Sequence, residues 1–354
     1  MKTLDDKLKQ LLLDGTVIPA HPLVLDNNRQ LDIWKQRRLT RYYIESGAGG
    51  VAVAVHTTQF EIRDPKYNLF EKVLSLAAEE IAAADLKRPF IKVAGICGPT
   101  EQALNEAKIA IKYGYDIGLL SLSAFKNSTE DAIIAHVKKV AEVIPIFGFY
   151  LQPAVGGRIL SYDFWLAFAE IPNVQAIKIA AFNRYQTLDV VRAVSTSGRG
   201  ENIALYTGND DNIIPDLLTT YQFKIGDSVV SRKFNGGLLG HWAFWTNKAV
   251  SLLERIKQLK STADLSPLLT EGIAVTDVNA AAFDPQHQFA GCIAGIHEIL
   301  RRQGLMDNVY CLSDHEVLSP GQSDEIDRVY KSYPHLNDDA FVRKFLQKPE
   351  NIEN

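Results

Sequence analysis

The sequence predicts an α/β protein built as a (β/α)8 TIM barrel with a C-terminal helical extension. Short apolar, β-rich segments alternate with longer stretches of helical period, the signature of successive βα units on a parallel sheet. Eight such segments can be counted. The chain has 354 residues, and a barrel of this kind needs roughly 250, which leaves about a hundred for an appendage.

Candidate strands occupy residues 17–22, 50–55, 90–95, 117–122, 146–150, 174–179, 203–206 and 237–239. Between them, residues 31–45, 69–84, 101–112, 130–143 and 188–194 carry apolar residues three and four apart, the pattern of helices that cover a sheet. Ser161 before Asp163, and Ser128 and Thr129 before two acidic residues, read as helix caps. Residues 219–235 are more polar and read as an elaborated loop before the last strand. After Thr246 no strand pattern appears, and helices are expected at 248–260, 289–303 and 324–333. These boundaries place the barrel at 1–245 and the helical region at 246–354.

Hydrophobic residues make up 46% of the chain and charged residues 23%, ordinary for a protein with a large core. Lys and Arg total 38 against 42 Asp and Glu, a net charge of -4, so no basic excess is present to hold a nucleic-acid backbone. Residues 1–10 lack the basic-then-apolar order of a signal peptide. No apolar run approaches the roughly 20 residues that span a bilayer. Cys97, Cys292 and Cys311 are scattered, without disulfide or zinc-knuckle spacing. A cytoplasmic, reduced protein with no membrane contact is expected.

Catalytic groups in such barrels stand at the C-terminal ends of the strands. Here those ends carry His21, then His56 to Thr58, Ser121 to Phe125, Tyr150, Lys178, Asn209 with Asp210, and His241 with Trp242. Lys178 lies in Val174-Gln-Ala-Ile-Lys-Ile-Ala180, where strand alternation turns Ala176, Lys178 and Ala180 inward. Desolvation there favours the neutral amine that imine formation needs. A lysine salt-bridged inside the barrel, or reaching outward to water, would show the same pattern. Lys92, near the start of its strand, reads as structural. Tyr150 ends its strand and either passes protons or packs. His21 has no second histidine at metal-ligand spacing, and Gly198-Arg-Gly200 and Gly236-Gly237 are too short for phosphate loops.

In combination these motifs resemble the dihydrodipicolinate synthase and N-acetylneuraminate lyase family of class I, pyruvate-dependent aldolases. The matching features are Gly47-Ala-Gly-Gly50 leading to Thr57-Thr58, Tyr150-x-x-Pro153, Ile177-Lys178 and Gly208-Asn-Asp210, with Gly304-Leu-Met306 in a closing segment. The resemblance implies that Lys178 forms a Schiff base with pyruvate or a related 2-keto acid and that Tyr150 shuttles the proton. It assigns the carboxylate to Thr58 with Thr57, and the rim to Gly208, Asn209 and Asp210. It implies no cofactor beyond the covalent imine, no metal, and a homo-oligomer, a homotetramer by likeness.

Departures concern the substrate. His56 and Gln59 flank the threonines where glycines are usual, and the following acid is displaced to Glu61. Phe125 stands where many members offer a tyrosine, and Val155 stands at an arginine position, with Arg158 the nearest substitute. His56 and His241 either contact substrate or sit as satisfied core histidines. The expected activity is aldol cleavage or condensation, or dehydration of a keto-sugar acid, and not dihydrodipicolinate synthase itself. Competing readings are a barrel that binds a small carboxylate without turnover and a metal-dependent hydrolase.

Overall fold

The computed structural model describes residues Lys2 to Glu353. Strands β1 (Val17–Pro19), β2 (Gly50–Val53), β3 (Ile91–Ile96), β4 (Ile117–Leu120), β5 (Ile146–Leu151), β6 (Val174–Ala180) and β7 (Ala204–Thr207) lie where the alternation predicts them. Next come β8 (Tyr221–Ile225), β9 (Ser228–Arg232) and β10 (Gly236–Leu239). The helices are α1 (Asp6–Asp14), α2 (Ile33–Glu45), α3 (Phe70–Ala83), α4 (Thr100–Lys112), α5 (Glu130–Ala141), α6 (Tyr162–Ala169), α7 (Arg184–Thr196) and α8 (Ile213–Leu218). They continue with α9 (Thr246–Lys257), α10 (Ser266–Phe283), α11 (Cys292–Arg302), α12 (Gln322–Ser332) and α13 (Asp339–Leu346).

Eight strands form one sheet in the order β1-β10-β7-β6-β5-β4-β3-β2. A parallel bridge from Ala20 to Ala52 joins its two ends, and helices separate the strands along the chain. This is the (β/α)8 barrel with C-terminal helices. Alternation along each helix decides which side it buries: in α5, Ile133, Val137 and Val140 are fully buried, one turn apart. Two expected caps form. Thr129 accepts from the Ala132 amide at 3.3 Å and Ser161 from the Phe164 amide at 3.0 Å.

Several elements differ from expectation, among them helices α1, α8 and α13, which the sequence pattern did not mark. Residues 221–232 form an antiparallel hairpin, β8 with β9, rather than an irregular loop. Tyr221, Phe223 and Ile225 alternate with polar residues, and Gly226 turns the chain at φ 59°. The eighth barrel helix is α9, so the eighth βα unit runs past residue 245 to Lys257. The long helix α10 was not visible in the sequence because its apolar residues are spread around it without one dominant stripe.

Packing groups the chain into two compact units, each built from two separate stretches of sequence. One comprises the residues up to Thr16 with Pro89–Leu238. Within it, the Tyr206 hydroxyl donates to the Leu12 carbonyl and accepts from the Thr16 amide, both at 3.2 Å. Lys92 lies near the start of β3, and its charge acts on Asp116.

The other unit comprises Val17–Arg88 with the residues from Leu239 onward. Asp338 is buried there and accepts from the Tyr42 hydroxyl at 2.7 Å, the Asn247 amide at 3.1 Å and Gln303 Nε2 at 2.7 Å. One carboxylate thus ties α2, α9 and the residue that caps α11 together, which is why the C-terminal helices group with the first βα units. His21, His241 and His297 are buried in this unit, and desolvation brings each from an ordinary 6.5 to about 4. They are neutral in the native state. As pH falls from 6.5 towards 4 the unfolded chain binds protons that the native chain refuses, so stability present above 6.5 is lost by up to about 1.4 kcal/mol per pH unit for each histidine. Urea midpoints measured across this window should fall steeply, and a flat profile would contradict the burial of these rings.

Candidate active site

Lys178 is half-buried on β6. In the parallel ladders it pairs with Phe149 of β5 and Tyr206 of β7, while Ile179 pairs with Tyr150 and Thr207. Paired residues in neighbouring strands share a face. The helix-facing side is identified by Gly148, where an added Cβ would come 2.6 Å from Phe168 of α6. Ile177, Ile179, Gly148 and Tyr150 therefore face the helices, and Phe147, Phe149, Ala176, Lys178 and Tyr206 face the interior. The Lys178 Nζ stands 4.6 Å from the centre of the Phe149 ring, a cation–π distance.

Space for this lysine comes from Gly208, just after β7. A Cβ there would lie 2.6 Å from Lys178 Cε, 3.1 Å from its Cγ and 2.9 Å from Ala180 Cβ. Asn209 is fully buried and braces the same corner. Its Oδ1 accepts from the Phe182 amide at 2.9 Å, and its Nδ2 donates to Asp216 at 2.9 Å. Asp216 also accepts from Thr207 Oγ1 at 2.7 Å and pairs with Arg184. Phe182, the residue held by Asn209, has a positive φ of 50°. Asn209 thus holds a strained turn after β6, and its side chain is used within the fold. Asp210 follows it, half-buried.

Tyr150 lies on the other side of β5 from Phe149. Its ring is fully buried on the helix side of β5, 5.2 Å from Trp165 of α6, and its hydroxyl accepts from the Leu160 amide at 3.4 Å. It cannot share the inner face with Lys178, because adjacent positions on a strand point to opposite sides. Phe149 holds the inward position. Neither Phe149 nor Phe125, whose ring stacks 4.4 Å from His136, has a hydroxyl to offer.

Arg158 occupies the loop after β5. Its Nη1 donates to the carbonyls of Phe125 at 2.9 Å and Ser128 at 2.7 Å. With Leu122, Ser123, Phe149, Leu151 and Leu160 it lines a small cavity of about 10 Å³, room for a single water. Ser121, buried at the end of β4, lies 3.1 Å from Ser123 between hydroxyl oxygens. Both serines lie in the Ser121 to Phe125 strand end that the sequence points to, whereas Phe149 was not singled out by it. The only signal available was strand alternation, which needs the inter-strand register to become informative.

The threonine loop belongs to the other unit. After β2 the chain passes through Ala54 at φ 62° and a 3-10 turn, His56–Thr58, to Gln59 at φ 68°. Thr58 Oγ1 donates to the His21 carbonyl at 2.7 Å and accepts from the Val55 amide at 3.2 Å. It is a structural brace. Thr57 Oγ1 is buried and has no hydrogen-bond partner among the described residues, so of the two threonines it is Thr57 whose hydroxyl has bonding capacity left over. His56 is half-buried, its ring 5.9 Å from Phe60. Gln59 Oε1 accepts from the Leu312 amide at 2.6 Å, tying the loop to the C-terminal region.

The other histidines are core residues. His21 places Nδ1 2.8 Å from the Pro22 carbonyl and Nε2 2.9 Å from Thr40 Oγ1, so both nitrogens are engaged. His241, expected at the substrate site, is instead buried edge-on against Phe244 at 4.9 Å, with Asn279 of α10 as its hydrogen-bond partner. The short 3-10 turn after β10 aims it into the helix layer. Among the described residues no group of three or more His, Cys, Asp or Glu side chains is placed to hold a metal ion.

The model of the Dihydrodipicolinate synthetase family matches residues 15–235. The chain belongs to this family. Among curated relatives, the 4-hydroxy-tetrahydrodipicolinate synthase of Thiobacillus denitrificans is 26% identical over 195 residues, covering 55% of this chain and 62% of that protein. The N-acetylneuraminate lyase of Citrobacter koseri is 28% identical over 215 residues, covering 60% of this chain and 68% of the relative. The chain thus spans about three fifths of the length of the first of these family members. Among solved structures, dihydrodipicolinate synthase from Cyanidioschyzon merolae with lysine bound aligns at a TM-score of 0.72 and 18% identity, covering 91% of this chain and 99% of that one. N-acetylneuraminate lyase from Fusobacterium nucleatum aligns at 0.70 and 15%, with the same coverage. Both share the fold.

Replacing Gly208 tests the arrangement around the lysine. Gly208→Ala should cost about 1–3 kcal/mol in stability through overpacking and displace the Lys178 stem. Thermal melts together with the reactivity of Lys178 towards an amine-selective reagent would show both effects, and unchanged values would mean that the lysine does not pass beside this glycine.

Proposed function

We propose that this family member is an imine-forming class I lyase that acts on pyruvate or a related 2-keto acid. The observation that carries the reading is the Lys178 amine on the inner face of β6, beside a glycine that a side chain would clash with. The amine attacks the keto carbon, water leaves, and the resulting iminium accepts the electron pair of the neighbouring bond as it breaks or forms. Of the threonine pair that the family likeness assigns to the keto-acid carboxylate, Thr57 is the one whose hydroxyl has hydrogen-bonding capacity left for it. Arg158 has donors left over after its two backbone contacts and suits an anionic or hydroxylated partner substrate. No step of this reaction calls for a metal or another cofactor. Phe125 and Phe149, where hydroxyls would serve, support a partner other than that of dihydrodipicolinate synthase.

A second reading, a barrel that binds a small carboxylate without turnover, draws on the placement of Tyr150 away from the lysine. Borohydride with pyruvate separates the two. Under the lyase reading, reduction adds an irreversible mass at Lys178 that Lys178→Ala abolishes, and Thr57→Val raises the pyruvate concentration needed for trapping about tenfold, the loss of one hydrogen bond to a charged group. Pyruvate binding with no trapped adduct favours the binder.

We also read the protein as a cytoplasmic homo-oligomer, a tetramer by likeness to its family. Sedimentation at micromolar concentration should give a mass well above the 39.4 kDa chain, and a strict monomer would overturn this part.

A further inference from the structure

The imine reading leaves a proton without a carrier. The carbon beside the iminium must lose or gain one, and the inward-facing aromatic beside Lys178 is a phenylalanine. Tyr206, also inward, commits its hydroxyl to Leu12 and Thr16.

The neighbouring strand supplies hydroxyls. In β4, Leu119 pairs with Phe147 and Leu120 with Gly148. The Ser121 amide donates to the Ile96 carbonyl of β3 at 2.8 Å, so β4 stays extended and paired with β3 one residue past the strand, and its side chains keep alternating. The next register position sets Ser121 beside Phe149, which is itself beside Lys178. Ser121, Phe149 and Lys178 therefore form one inward row across three strands, with outer backbones roughly 10 Å apart. A lysine stem and a three-carbon acid bridge such a gap. Ser121 is only 4% exposed. Its oxygen lies 3.1 Å from the Ser123 hydroxyl and accepts from the Ser123 amide at 3.4 Å. Ser123 is half-buried and lines the cavity that it shares with Phe149 and Arg158.

We propose that Ser121 and Ser123 form a two-hydroxyl relay that carries the proton between the carbon next to the imine and solvent, resting on the imine reading above. In the forward direction the C–H electron pair becomes the carbon–carbon double bond of the enamine, and the C=N pair returns to nitrogen. The proton passes to Ser121 Oγ as Ser121 hands its own to Ser123, which releases one to a water molecule. The cationic iminium becomes a neutral enamine and the water becomes hydronium, so charge and atoms balance. Reversal delivers a proton to the enamine carbon.

Exchange of the pyruvate methyl protons in deuterated water, followed by proton NMR, reads this step alone. Wild type should exchange them, and Ser121→Ala and Ser123→Ala should each slow exchange about a hundredfold, within the usual range for a lost acid–base group. Borohydride trapping at Lys178 should stay at the wild-type level in both, and Ser121→Thr should restore most of the exchange. A merely structural role would move trapping and exchange together. Wild-type exchange in folded Ser123→Ala, or a wild type that traps pyruvate without exchanging its methyl protons, overturns the relay. Because Ser123 is half-buried, its variant keeps the test alive should Ser121→Ala fail to fold. Failure of wild type to trap pyruvate would instead overturn the imine reading itself.

Discussion

The site depends on one steric constraint: the stem of Lys178 can occupy the inner face of the barrel wall only because Gly208 has no side chain. A Cβ at that position would overlap two carbons of the lysine and the methyl of Ala180. Around this contact the fold adds stiffness. Asn209 and Asp216 hold the turn after β6 to the end of β7 by four hydrogen bonds in a row, counting Phe182, Thr207 and Asn212 as partners. A reacting group held between such braces loses little freedom on binding substrate, which is how a barrel turns rigid strands into a positioned nucleophile.

The polar residues at the strand ends divide into those the fold consumes and those it leaves available. Thr58, Asn209, His21 and Gln59 spend their hydrogen bonds on backbone or buried side chains. Buried polar groups must be satisfied somewhere, so these residues hold loops in place, including the backbone at Ala54 and Phe182 with positive φ. Thr57, Arg158 and the serine pair are the groups with capacity left over. Chemistry is assigned to them for that reason, and not by their order along the chain.

The C-terminal region bears on the threonine loop from within its own unit. Leu312 fixes Gln59, and Glu316, raised to about 7 by burial and by the nearby charge of Glu61, lies close to buried Cys311. The family model ends at residue 235, so Leu312, Cys311 and Glu316 lie outside its span while Gln59 and Glu61 lie within it.

Sequence alone determined the barrel, because eight apolar segments separated by amphipathic helices have few other ways to bury their faces. It also determined Lys178 as the informative residue, since a lysine inside an apolar strand is costly without a use. What it could not determine was which side of a neighbouring strand faces that lysine. Tyr150 and Phe149 are adjacent in the chain, and a shift of one residue in the pairing of β5 with β6 exchanges their faces. In the same way Thr57 and Thr58 look equivalent until the His21 carbonyl takes one hydroxyl, and His241 reads as a strand-end ligand until a 3-10 turn aims it at the helix layer. Pairing register and turn direction arise from contacts between distant segments, so the tertiary structure alone decided which side chains surround the amine.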